Sequence, residues 1–363
     1  MAKYTLAEVC EKLLAVRSAL AAGRTVGDAC KAAGLSSGTY KKWLTTYAHL
    51  DLPSWVAAAP YRGAIALSGD ARHVFTVGDA PSGLTFTRYD AKNGAESARA
   101  FHAAPHGANG WREVIAATAD ETGARLCVIV TGGAMFTWDV AKNAVAPITH
   151  DLRSGCVDLS GRASSGARRW AFASISSDLT RLAYWETLGD RQAGSPARVV
   201  VREVESGAEV LRYETPAQFI GAALVFHPTG RRLCLLDENS LITVLDLGAR
   251  RAVVERGPQA HNVSFGADNT VFFDDWYSRT QALDLATNES RVLRQGWGSI
   301  ATLGDRFVNV SETSVLVRSA KDPSVERRIT LEKIVEAQIS RDGACLAVLA
   351  DRLCVWDLGP SER

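Results

Sequence analysis

A two-part phrase that returns seven times between residues 65 and 359 constrains this chain more than any other feature of its sequence. Its first part is an apolar strand ending near Ser or another small residue, a turn built on Asp or Gly, and a second apolar strand. It reads IALSGDARHVFTV at 65–77, IAATADETGARLCVIV at 115–130, ASISSDLTRLAYW at 173–185 and LVFHPTGRRLCLL at 224–236. It returns as VSFGADNTVFFDD at 263–275, IATLGDRFVNVSE at 300–312 and AQISRDGACLAVLA at 337–350. A partner phrase follows each: FTRYDAKNG, FTWDVAKNA, VVREVESGA, TVLDLGARR, QALDLATNE, VLVRSAKDP and LCVWDLG. Apolar and polar residues alternating in short runs between Gly, Asp and Asn turns mark strands with buried faces. One such unit cannot bury its own apolar faces, so the seven must stack on one another.

A spacing of roughly 37–57 residues per unit suits four-stranded blades. The sequence therefore predicts a mainly β fold, a seven-bladed β-propeller preceded by a small all-α three-helix domain. The expected boundaries are 1–52 for the helices and 53–363 for the propeller. The last unit stops after its third strand, LCVWDLG, while SWVAAAP (54–60) precedes the first unit's inner strand. That stretch is expected to pair with the last blade and close the ring, removing two exposed edges. Trp138-Asp139, Trp356-Asp357 and FHPTGRRL (226–233) resemble the WD-repeat propeller family over residues 54–359. The Gly-His pair that opens such repeats is missing, and five Trp-Asp sites are replaced by Tyr-Asp, Glu-Val, Leu-Asp or Arg-Ser. The resemblance is to a degenerate bacterial propeller, and it implies a scaffold that recruits a protein partner.

The first 52 residues have another pattern. Thr5-x-x-Glu8 is a capping box, and Leu6, Val9, Leu13, Val16 and Leu20 follow at helical spacing. Gly23 ends that helix, Thr25 opens a short second one through VGDACKAA, and Ser36 caps a third, SGTYKKWLTTY. Leu35, Tyr40 and Trp43 are expected in its core, with Ala29 and Cys30 small enough to let helices approach. Ser36, Ser37, Lys41, Lys42 and Thr45 are expected on the opposite face. Residues 1–52 hold seven basic and four acidic side chains, net +3, against a whole-chain net charge of +1. That balance permits nucleic-acid binding without requiring it.

GRTVGDACKAAGLSSGTYKKWLTTY (23–47) resembles the helix-turn-helix of insertion-sequence transposases, through Gly23, Gly34-Leu35-Ser36, Thr39-Tyr40, Trp43 and Tyr47. The resemblance implies that Ser37, Lys41 and Lys42 face the DNA major groove or its phosphates. The third helix has no Arg, Asn or Gln for bidentate base contacts, so its lysines and hydroxyls would hold phosphates and read sequence poorly. No transposase catalytic domain follows. Two uses stay open: weak DNA contact, or docking to a protein or to a second copy of the chain.

Little in the sequence suggests catalysis. The seven histidines show no metal-ligand spacing, and His102 and His106 in FHAAPHGANGW read as a loop pair. No nucleophile elbow, zincin or phosphate-loop motif occurs, so neither metal nor cofactor is expected. Asp274 and Asp275 in FFDDWYS read as turn acids. The long insert HDLRSGCVDLSGRASSGARRW (150–170) brings Arg162, Arg168 and Arg169 together as a contact for phosphate or an acidic partner. Seven scattered cysteines with apolar neighbours read as reduced, buried thiols of a cytoplasmic protein. No apolar run approaches the ~18 residues that span a bilayer. The expected function is a non-enzymatic scaffold or adaptor, contacting DNA through its helices and protein through its propeller.

Overall fold

The computed structural model describes residues 4–48, 50–59, 63–103, 114–130, 134–148, 173–187, 197–215, 223–237, 239–255, 257–266, 269–275, 277, 279–295, 299–302, 306–319 and 326–359. The insert with Arg162, Arg168 and Arg169 lies outside them, as does His106.

Three helices come first: α1 (Leu6–Ala21), α2 (Val26–Ala32) and α3 (Ser37–Thr46). Each starts on a hydroxyl that accepts an otherwise orphaned amide, Thr5 from Glu8, Thr25 from Asp28 and Ser36 from Thr39. Val9, Leu13, Val16, Ala29, Cys30, Leu35 and Trp43 form their common core, with Tyr40 half-buried against it. Tyr4 and Tyr47 meet Trp43 edge-on at 5.4 and 6.0 Å.

The strands, numbered β1–β28 in chain order, form seven four-stranded antiparallel sheets. Blades 1 to 6 run over 64–103, 114–148, 173–214, 223–254, 262–295 and 299–330. Blade 7 takes β26 (Glu336–Ile339), β27 (Cys345–Leu349) and β28 (Arg352–Asp357), and its outer strand is β1 (Trp55–Ala58). Trp55 pairs with Val355 and Ala58 with Arg352, which closes the ring.

Between each pair of neighbouring blades lies one apolar core. Phe75, Phe86, Leu126 and Trp138 fill the space between blades 1 and 2, and Val308, Ile329, Leu346 and Trp356 that between blades 6 and 7. Trp55, Ile65, Tyr89 and Val355 complete the circuit between blades 7 and 1. A fully buried large side chain is worth about 1.5–3 kcal/mol, whereas an exposed pair such as Arg99–Glu96 contributes about 0–1 kcal/mol. Interblade packing therefore dominates.

Polar side chains fix the blade turns. Ser68, Ser176 and Ser340 donate to Asp70, Asp178 and Asp342 at 2.7, 2.5 and 2.6 Å and accept the amides of His73, Arg181 and Cys345. Arginines then link one blade to the next. Arg88, Arg181 and Arg306 donate to the carbonyls of Gly123, Gly230 and Gly343 at 3.0, 2.7 and 2.8 Å. On the inner strand of blade 7, Gln338 and Glu336 accept the amides of Leu67 and Ile65, covering the edge of blade 1 that faces the channel.

Candidate interaction surfaces

The α1 helix buries two faces rather than one. Val9, Leu13 and Val16 point into the helical core, while Ala7 joins the apolar cluster of blades 6 and 7 and Cys10 is buried as well. Leu6, expected on the core face, is only half-buried. The reason is that α1 lies between two partners, so small residues at Ala7 and Cys10 allow close approach to the propeller. Thr5 Oγ1 donates to Asp351 at 2.6 Å, and Arg352 sits 3.6 Å from Glu11. Burial first, and then the nearby Asp351 carboxylate, push the Cys10 thiol up to about 11.

Asp51 completes this attachment. Its carboxylate takes two bonds from Arg327, with Nη2 at 2.8 Å from Oδ1, and its carbonyl accepts from Trp356 Nε1 at 3.0 Å. A bidentate guanidinium pair fixes orientation as well as distance. The segment that leads from α3 to β1 is thus tied to both blade 6 and blade 7.

On α3, Ser36, Ser37, Lys41, Lys42 and Thr45 are all exposed. Two of the hydroxyls have local duties. Ser36 Oγ holds the Thr39 amide at 3.0 Å, and Thr45 Oγ1 reaches back to the Lys41 carbonyl at 3.5 Å. Ser37, Lys41 and Lys42 are exposed without such a side-chain bond among the described residues. Leu44 is 50% exposed, and so is Val26 at 42%.

Elsewhere the polar residues singled out in the sequence serve the fold. His102 lies in strand β5 (Glu96–Ala103), 4.8 Å from the Phe136 ring, and not in a loop as its Pro and Gly neighbours suggested. The strand persists because the breakers begin only after Ala103. Asp275 accepts the amides of Tyr277 and Arg279 and the side chains of Arg279 and Gln281, at 2.9, 2.9, 2.7 and 2.5 Å. Burial alone would raise its pKa, but these hydrogen bonds outweigh it and hold the carboxyl below the usual carboxylate range. Asp274 is buried and accepts from Thr280 at 2.7 Å. Among the described residues no group of three or more His, Cys, Asp or Glu side chains is placed to hold a metal ion. The six described cysteines are free and buried. No described helix is long and apolar enough to cross a membrane.

A cavity of about 350 Å³ occupies the channel at the end where first strands turn into second strands. Thr118, Ser174, His227 and Gln338 line it, with Phe226 and Ile339, and Glu121 and Arg341 meet at its rim 3.3 Å apart. Sequence reading did not foresee this cavity. The only hint was the hydroxyl that recurs near the end of most first strands, with His227 in its place in blade 4.

The fold defines the class, a seven-bladed β-propeller with three preceding helices. No family model matches the sequence, and no curated protein matches it either. Solved structures do match. A chain from the mitotic checkpoint complex superposes with a TM-score of 0.58 at 12% identity, covering 85% of this chain and 95% of that one. The β-propeller domain of Myceliophteria thermophila Cps50 (Swd1) gives a TM-score of 0.58 at 10% identity, covering 85% of this chain and 99% of that domain. Identities this low establish the shared architecture and leave function to the surfaces.

Proposed function

We propose that the chain is a non-enzymatic scaffold in which the propeller recruits a protein partner and the helical domain, residues 1–52, contacts DNA as a helix-turn-helix. The observation that carries this reading is the division of labour among the helices. Docking on blade 7 consumes α1, while α3 carries Lys41 and Lys42 exposed on a helix with no acidic residue in its first turn. The two solved structures named above are a chain of an assembly and a propeller domain, which is compatible with recruitment of protein. Two lysines and Ser37 can grip phosphates but offer no bidentate base readout, so binding is weak and indifferent to sequence.

Fluorescence anisotropy with a random duplex of about 30 base pairs tests it. With about two phosphate contacts, log affinity should fall with log salt at a slope near −2. Lys41→Ala/Lys42→Ala should abolish binding. Absence of binding at low salt would retire DNA as the ligand. The exposure of Leu44 and Val26 favours a second reading, in which this face docks a protein or a second copy of the chain. Leu44→Glu would then change the elution volume of the protein on a sizing column, and leave DNA binding irrelevant.

A further inference from the structure

Blade 4 carries two arginine pairs on adjacent turns of one propeller face. Arg231 and Arg232 follow the turn between β14 (Ala223–Phe226) and β15 (Arg232–Leu236). Arg250 and Arg251 follow the turn between β16 (Ile242–Asp246) and β17 (Arg251–Val254). Asp246 is the strand partner of both Arg232 and Arg251, and the Leu247 amide donates to the Arg231 carbonyl at 3.0 Å. With strands about 4.8 Å apart, Arg232 and Arg251 stand about 10 Å from each other. Arg231, Arg250 and Arg251 are exposed, while Arg232 is half-buried and bonded to Asn269. Asp246 spends Oδ1 on the amides of Gly248 and Ala249, at 2.9 and 2.8 Å.

Two features separate this cluster from the corresponding turns of other blades. Four cations there sit on carboxylates, Arg72 on Asp70, Arg125 on Asp120, Lys142 on Asp139 and Arg341 on Glu121, Arg181 is held by the Gly230 carbonyl, and Lys92 is a single exposed charge. Among the described residues, Arg231, Arg250 and Arg251 have no such ion pair. Backbone conformation gives the second. The left-handed position of this turn is Gly94 in blade 1, Asn143 in blade 2, Gly207 in blade 3 and Asn288 in blade 5, but Arg250 at φ 53 in blade 4. A long side chain is disfavoured in that conformation, which Leu179 and Lys333 also adopt on other turns.

We propose that these arginines dock an acidic segment of a partner protein, a proposal that rests on the propeller being the partner-recruiting part. Guanidinium forks match carboxylates two bonds at a time. Nucleic acid fits less well. The turns on either side carry exposed carboxylates, Glu203 and Glu205 in blade 3 and Asp284 and Glu289 in blade 5. A continuous phosphate backbone would run onto them, whereas a short acidic segment ends before reaching them. The patch also lies on a different blade from the one that holds α1, so the two surfaces can be occupied independently.

The test uses the full chain and three labelled probes: octaglutamate, octaglutamine and an eight-nucleotide thymidine strand. Anisotropy should show saturable octaglutamate binding that weakens as salt rises from about 50 to about 300 mM. Octaglutamine should not bind. Arg231→Ser/Arg250→Asn/Arg251→Ser should weaken octaglutamate at least tenfold, while Lys41→Ala/Lys42→Ala leaves it unchanged. A thermal melt no lower than the parent's shows that the triple variant is folded. Equal octaglutamate binding by the triple variant, or none by the parent, overturns the proposal. Tighter arginine-dependent binding of the thymidine strand overturns it in favour of nucleic acid. None of these outcomes touches the reading of α3, which is decided by the duplex and the lysine variant.

Discussion

At Gly94 the backbone is held at φ 70, and an added Cβ would lie 2.7 Å from the Trp55 ring. The left-handed strain of about 1 kcal/mol and the overpacking of about 1–3 kcal/mol act together. Gly94→Ala should thus lower unfolding stability in urea by about 2–4 kcal/mol. Asp275 predicts a pH response. Its folded pKa is depressed, so the stability it supplies is present above the ordinary carboxylate range and lost as pH falls through the folded value. Asp275→Asn should therefore destabilise the chain at pH 7, and the gap to the parent should narrow in melts taken near pH 3. Residue chemistry was partly legible in the sequence. The Trp-Asp sites were read by their tryptophan, yet the carboxylate is what recurs: Asp90, Asp246 and Asp284 cap their turns with Tyr, Leu and Leu in front of them. Sites judged lost by their aromatic still keep the group that shapes the turn.

Among the elements, strands and helices follow their sequence patterns closely, because each is set by local period, cap and turn. Thr5, Thr25 and Ser36 start the helices as their side chains dictate. What local pattern could not reveal is contact at a distance. Asp51 and Arg327 are 276 positions apart, and no window of sequence links them. Likewise the second buried face of α1 was masked, since Ala7 and Cys10 are too small to stand out beside Val9 and Leu13. A bulky charge at that face should separate helix from blade. Ala7→Arg is expected to accelerate hydrogen exchange in β1 and β28, which α1 covers, while amides within α3 keep their protection. Equal acceleration in all three would mean that the helices unfold rather than detach.

For the whole molecule, closure matters more than any single contact. Removal of residues 1–49 spares Asp51, Ser54 and β1, so the ring should stay closed, with a lowered melting temperature and no new association. Removal of 1–58 also takes β1 and leaves the edge of β28 unpaired. Light scattering should then detect association through that edge. Seven units and one ring were legible because every blade repeats the same alternation. The arginine patch of blade 4 was not, although its residues lie in quoted repeats, because only the fold brings 231–232 beside 250–251.

The pairing of β1 with β28 also sets an order in time. Ser54 and Asp357, joined by a hydrogen bond across the seam, are 303 residues apart in the chain. At about 5–20 residues per second, a ribosome needs roughly 15–60 s to deliver the second after the first. Throughout that interval the seventh sheet lacks its core strands, and the first strand made must wait for the last. Three helices emerge just ahead of it. Until β28 is made, the edge of that waiting strand stays open to any chaperone or nascent-chain factor that acts on this protein.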